Sequence, residues 1–296
     1  LVERKKPNLI GGDTQAEQGS RLYEPEYEEK QRFEHEQFLL DILKDGKGKH
    51  NGKRIAIIGE PGAGKTTLLR KIAFWVQENT EILPISISLA DLPETNSKQE
   101  FLEQYLLDKW LKAALPYISL EMVEVTEALK TELKKLCNQG RVWLLLDGVD
   151  EMPVQGEEPL WAISNQLKGW VGQARAVLTC RLNVWEANPY ALNGFQTYRT
   201  LWFSEEKVKK FIYDGFQKSD AALGVQLQEE LNQPGKERIK DLVRNPLRLM
   251  LLCSIWHLLE GKLPDTKAEL YQHYVEEVYR WKEEEVYRWK EEEFPT

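Results

Sequence analysis

The sequence predicts an α/β fold, a three-layer domain around a parallel sheet, followed by an all-helical domain. Three observations carry this reading. Short apolar runs (Ile55–Ile58, Val142–Leu146 and Ala176–Cys180) alternate with stretches of helical periodicity. The run Val142-Trp143-Leu144-Leu145-Leu146 is continuously apolar, as a parallel strand covered on both faces requires. From Ser204 onward strand patterns stop and only helical ones remain.

Taken in order, residues 1–50 read as an N-terminal linker and helix. The start is polar, with Pro7, Gly11, Gly12 and Gly19, and Glu28–Leu43 reads as a helix through Phe33, Phe38, Leu39, Ile42 and Leu43. Residues 51–204 read as the α/β domain. Ile55–Ile58 is its first strand. Ile82–Leu89 is a second, with Leu83, Ile85, Ile87 and Leu89 facing one way and Ser86 and Ser88 the other. Residues 99–138 read as two helical pieces divided near Pro116. Val142–Leu146 and Ala176–Cys180 are the third and fourth strands, and Tyr198–Phe203 the expected fifth. Residues 205–296 read as the helical domain, with helices at Ser204–Phe216, Ala221–Leu231, Glu237–Leu242, Leu247–Leu259 and from Thr266 onward. The ten tryptophans read as packing residues, with Trp75, Trp110, Trp161 and Trp170 in expected helices.

Composition bounds the function classes. The net charge of −8 argues against a dedicated nucleic-acid binder, which shows a basic field. Residues 276–293 hold eight glutamates against Arg280, Lys282, Arg288 and Lys290. Within that segment Glu276–Glu283 is repeated letter for letter as Glu284–Glu291, a period that fits neither supercoil spacing and reads as a duplication on a solvated helix end. Cys137, Cys180 and Cys253 are far apart and lack C-x-x-C spacing, which implies a reduced, cytoplasmic protein without structural zinc. His35, His50, His257 and His273 are equally scattered. No run is long and apolar enough to span a membrane. The chain starts at Leu1 without a methionine and reads as part of something longer.

The chemistry is concentrated in Gly59-Glu60-Pro61-Gly62-Ala63-Gly64-Lys65-Thr66-Thr67, a complete G-x-x-x-x-G-K-[ST] phosphate loop. A strand precedes it, and Leu68, Leu69, Ile72, Ala73 and Val76 form one helical face behind it. Backbone N–H groups curl around a phosphate there, and the helix N-terminus adds partial positive charge. Lys65 is expected to reach the β- and γ-phosphates and Thr66 to hold Mg²⁺. These residues make the α/β domain a P-loop NTPase domain.

The second half of the expected site is Leu144-Leu145-Leu146-Asp147-Gly148-Val149-Asp150-Glu151. Asp147 ends a buried strand and can reach Mg²⁺ opposite Thr66. Asp150 and Glu151 can position the attacking water, and either could orient it. In many ATPases of this broad group a glutamate directly follows the strand-ending aspartate. Here Gly148 takes that place, so hydrolysis is expected to be slow or gated. Thr179-Cys180-Arg181 ends the next strand and puts a polar group and a cation near the γ-phosphate, where Arg181 can sense it or stabilise developing charge. No N-K-x-D-like element is present, which favours ATP and ADP over guanine nucleotides.

The phosphate loop, LLLDGVDEM, LTCR and the later Arg244-Asn245-Pro246-Leu247 together resemble a NACHT domain, a branch of the STAND signalling ATPases that includes animal NOD-like receptors and many bacterial proteins. The resemblance covers roughly residues 30–290. It implies that Arg181 is the first sensor and that Pro246 lies against the adenine, with Leu270-Tyr271 in the last helix of the helical domain. It also implies a switch in which ADP keeps the protein closed and ATP exchange opens it to homo-oligomerise. Winged-helix, effector and sensor domains are expected outside this chain. The rival readings are an AAA-like working ATPase acting on nucleic acid or protein, for which no basic pore loop or second arginine is identifiable, and a scaffold that holds nucleotide without hydrolysis.

Overall fold

The computed structural model describes residues 1–4, 29–92, 101–118, 124–154, 158–188, 191–259, 261–264, 266 and 268–280. The chain divides into two compact units, Leu1–Pro61 with Lys65–Leu201, and Gly62–Gly64 with Trp202–Thr296.

The first unit is built on a seven-stranded sheet of β1 (Val2–Arg4), β2 (Glu29–Arg32), β3 (Arg54–Gly59), β4 (Leu83–Ser88), β5 (Val142–Asp147), β6 (Arg175–Arg181) and β7 (Gln196–Arg199), in the order β2-β1-β7-β3-β6-β5-β4. β3 to β7 run parallel, and β1 joins β7 antiparallel and carries β2 on its outer edge. Side-chain alternation along β3 divides the core in two. Ala56 and Ile58 pack on one face with Ile85, Leu144, Leu146 and Leu178. Ile55 and Ile57 pack on the other with Trp143, Leu145, Val177 and Tyr198.

Helices cover both faces, which makes the three layers. On one side lie α1 (His35–Phe38), continued by wider π-type turns over Leu39–Lys44, and α2 (Lys65–Asn79), contributing Phe38, Ile42, Leu69, Ile72 and Val76. On the other lie α3 (Phe101–Gln104), α4 (Leu111–Ile118), α5 (Glu127–Asn138) and α6 (Pro159–Gln166), contributing Phe101, Leu102, Leu111, Leu133 and Ile163. A short α7 (Leu182–Ala187) follows β6. The two kinds of strand pattern have a positional cause. β5 is enclosed by β4 and β6 and is apolar throughout, whereas β4 is the sheet edge and keeps Ser86 and Ser88 in solvent.

The second unit is helical, with α8 (Glu205–Phe216), α9 (Ala221–Leu231), α10 (Glu237–Leu242), α11 (Pro246–Ile255) and a further helix over residues 268–280. Ser204, Asp220 and Asn245 cap α8, α9 and α11 by accepting backbone N–H bonds. Their apolar faces meet around Ile212, Leu227, Leu249, Leu252, Trp256 and Leu270. No described helix is long and apolar enough to cross a membrane.

Several expectations are corrected. Glu28–Leu43 is not one helix. Glu29-Lys30-Gln31-Arg32 offers no apolar residue to a helical face and instead pairs with β1, so the helix starts at His35. The sheet is therefore mixed. The last strand is Gln196–Arg199 and ends before Phe203, and Pro116 lies inside α4 rather than dividing two helices, with residues 119–123 outside the described residues. Trp161 is exposed and Trp170 lies in a turn, while among the described residues Trp143 and Trp256 are the fully buried tryptophans. Most of the terminal repeat, from residue 281, lies outside the described residues.

Candidate functional site

The carboxyl ends of β3, β5 and β6 bring the expected catalytic residues of the first unit together, as a parallel sheet does with its strand tips. Gly59 ends β3, Glu60 and Pro61 follow, and Lys65 opens α2 with Thr66 and Thr67 exposed in its first turn. Lys65 Nζ donates to the carbonyls of Gly59 and Glu60, each at 3.0 Å. Burial pulls the Lys65 ammonium below the ordinary lysine pKa, against the opposing pull of Asp150 and, more weakly, Asp147. Gly62 and Gly64 have φ of 74° and 79°, the left-handed region that glycine enters without strain. Gly62 belongs with the second unit, where a Cβ on it would lie 2.7 Å from Leu247 Cβ, so the position has no room for a side chain.

Asp147 is the last residue of β5. The Thr179 hydroxyl donates to Asp147 Oδ1 at 2.5 Å and accepts from the Gly148 N–H at 2.8 Å. Gly148 has φ of 76° and turns the chain sharply into a helical turn over Val149–Glu151. That turn presents Asp150 and Glu151 to β6. The Arg181 N–H donates to Asp150 Oδ1 at 2.7 Å, its Nε lies 2.8 Å from Asp150 Oδ2, and its Nη2 lies 3.2 Å from Glu151 Oε1. The two acids are not equivalent. The Asp150 side chain is 4% exposed, against 52% for Glu151.

Cys180, between Thr179 and Arg181, is buried; burial first and then the nearby Asp150 carboxylate push its thiol up to about 12, so it is no nucleophile. No three His, Cys, Asp or Glu side chains among the described residues form a metal-holding group. His273 is partly exposed, 3.6 Å from Glu276. Pro246 is the first residue of α11, behind Asn245, whose Oδ1 accepts from the N–H groups of Leu247 and Arg248 at 3.1 and 3.3 Å. Tyr271 is exposed in the 268–280 helix, with the Arg248 guanidinium 5.9 Å from its ring centre.

Sequence reasoning undervalued Thr179. The sequence places it only as a polar group near the γ-phosphate; the structure adds that its hydroxyl bonds Asp147 and the Gly148 N–H at the end of β5. The available signal was a single hydroxyl in the otherwise apolar run Ala176–Cys180.

Among solved structures the chain is similar to the Walker-type ATPase of Pyrococcus abyssi, at 12% identity and a TM-score of 0.50, over 87% of this chain and 76% of that one. It also matches Cdc6p from Pyrobaculum aerophilum at 15% identity and a TM-score of 0.46, over 80% of this chain and 65% of that one. At such identity the first likeness speaks for the fold alone. No curated protein sequence matches. The family profile described as NACHT domain matches residues 53–219, from the approach to β3 through the end of α8. That match spans more than half of the chain, which therefore belongs to the NACHT-domain family of nucleotide-binding P-loop ATPases.

Proposed function

We propose that this chain is the ATP-operated switch module of a larger signalling or defence protein, in which exchange of ADP for ATP controls homo-oligomerisation. The observation that supports it is the pairing of Arg181 with Asp150 and Glu151. An arginine already satisfied by acids has two alternative partners once a γ-phosphate arrives, and a two-state element of this kind is what a nucleotide can bias.

In this reading the backbone of Glu60–Lys65 and the Lys65 ammonium hold the phosphates, Lys65 exchanging its carbonyl partners Gly59 and Glu60 for phosphate oxygens. Thr66 and Asp147 hold Mg²⁺. A hydroxyl and a carboxylate are the hard oxygen donors that this cation takes, and the carboxylate at the tip of β5 is anchored through one oxygen with the other left over. Bound there, Mg²⁺ neutralises charge on the β- and γ-phosphates. Glu151, the more exposed acid, orients water; Arg181 reports the γ-phosphate; Pro246 supports the adenine.

The test is the ATPase rate of the purified chain, with and without DNA, using Lys65→Ala as the blank. A rate of about 10⁻⁴ to 10⁻² s⁻¹ that ignores DNA supports the switch. A rate near the roughly 10 s⁻¹ typical of enzymes, or one strongly raised by DNA, replaces it with an AAA-like working ATPase.

A further inference from the structure

Thr179 sits where three parts of the site meet. Within β6 it pairs with Ile57 of β3, two residues before the phosphate loop opens at Gly59. On its other side the β5–β6 ladder has its last pair at Leu146 and Leu178. One residue further on, the Thr179 hydroxyl takes over from the backbone ladder and ties β6 to Asp147 and Gly148.

Packing does not explain a hydroxyl there. Ala176, Val177, Leu178 and Cys180 are fully buried, and Thr179 is 1% exposed, so a valine of the same shape would fill the site without a polar atom to desolvate. Both hydrogen-bonding capacities of the hydroxyl are used, and their directions are coupled. The Gly148 N–H occupies a lone pair, so the single hydroxyl proton goes to Asp147 Oδ1. This restrains rotation of the carboxylate about its last bond and leaves Oδ2 for another partner. Gly148, with φ of 76°, turns the backbone away at once, so Thr179 is the anchor on the sheet side of the turn.

We propose that Thr179 is a positioning residue for the metal half of the site: it presents Asp147 Oδ2 to the Mg²⁺ that accompanies the nucleotide, directly or through a bound water. This rests on the metal role given to Asp147 above. Its signature is selective. Loss of the hydroxyl weakens the Mg²⁺-dependent part of nucleotide affinity and spares the part supplied by the phosphate loop, because Lys65 and the loop amides do not bond to Thr179.

The experiment titrates ATP calorimetrically into wild type, Thr179→Val and Thr179→Ser, in excess Mg²⁺ and in EDTA, and measures the Mg²⁺ concentration that half-restores tight binding. Thr179→Val is expected to raise that concentration at least about tenfold, the usual consequence of removing a partner behind a metal ligand. Affinity in EDTA stays at the wild-type value, and Thr179→Ser restores the Mg²⁺ response. Equal weakening with and without Mg²⁺, or a normal Mg²⁺ response in Thr179→Val, overturns the proposal. If the valine variant fails to fold, Thr179→Ala carries the same comparison without a new methyl group to place. Asp147→Asn separates the two ways of failing. If it removes the Mg²⁺ response while Thr179→Val leaves it normal, only the role of Thr179 falls. If neither moves it, the metal role of Asp147 falls as well.

Discussion

Arg181 holds Asp150 twice, through its own N–H to Oδ1 at 2.7 Å and through Nε to Oδ2 at 2.8 Å, while reaching Glu151 only once at 3.2 Å. One carboxylate is saturated by backbone and guanidinium and nearly sealed from water. The other is half-exposed with a single longer contact. Two adjacent acids of nearly identical chemistry thereby take different parts. The Asp150 carboxylate is taken up by Arg181, while that of Glu151 stays half open to solvent.

Removing Arg181 strands a buried charge, whereas removing Asp150 frees a cation that solvent can reach. Arg181→Ala is therefore expected to lower unfolding free energy by about 1–3 kcal/mol, and Asp150→Ala by less on this account alone. Arg181→Lys recovers only part, because an ammonium cannot reproduce the Nε contact. Urea unfolding of the three variants measures this; an Arg181→Ala midpoint equal to wild type refutes it.

Glu151→Gln keeps the size of the side chain and removes its charge. Turnover is expected to fall roughly 10²- to 10⁴-fold with ATP affinity intact, as loss of a group handling a proton does. Full activity in this variant would transfer the water to Asp150 and break the division of roles.

Lys65 is the half-buried cation at the mouth of the loop, held by two carbonyls. Lys65→Ala is expected to weaken ATP binding about tenfold to a hundredfold, the value of a charge-assisted bond. Fold and thermal unfolding should change little, since only carbonyls lose a partner. Unchanged ATP affinity by calorimetry would remove the loop from the site.

Alkali probes the two buried thiols and the partly buried Cys253. Burial pushes Cys137, Cys180 and Cys253 up to about 12, against 9.0 for an ordinary thiol. Above pH 9.0 the unfolded chain releases protons that the folded chain keeps to about 12. Stability is therefore intact below that window and declines as pH rises through it. Tyr198 and Tyr274, also raised by burial, add to the decline above 10.0. Denaturant midpoints that hold constant from about pH 8 to pH 11 contradict this.

What could be read from the sequence alone was whatever a short window encodes. The loop Gly59–Thr67 is contiguous, β3, β5 and β6 are contiguous apolar runs, and α9 and α10 have the bounds their periodicity predicts. The asymmetry of β4 was visible too, because an edge strand writes its exposed face directly into alternating serines. Only the tertiary structure decided which distant residues complete these pieces. Glu29–Arg32 is a strand because β1 offers it a ladder, which no local preference of four polar residues could announce. Arg181 meets Asp150, and Thr179 meets Asp147, across 31 and 32 residues of chain, because the sheet order lays β6 directly beside β5. Chemistry at a strand tip depends on which strand is the neighbour. That neighbour is set by long-range pairing, while periodicity reports only which face of each element avoids water.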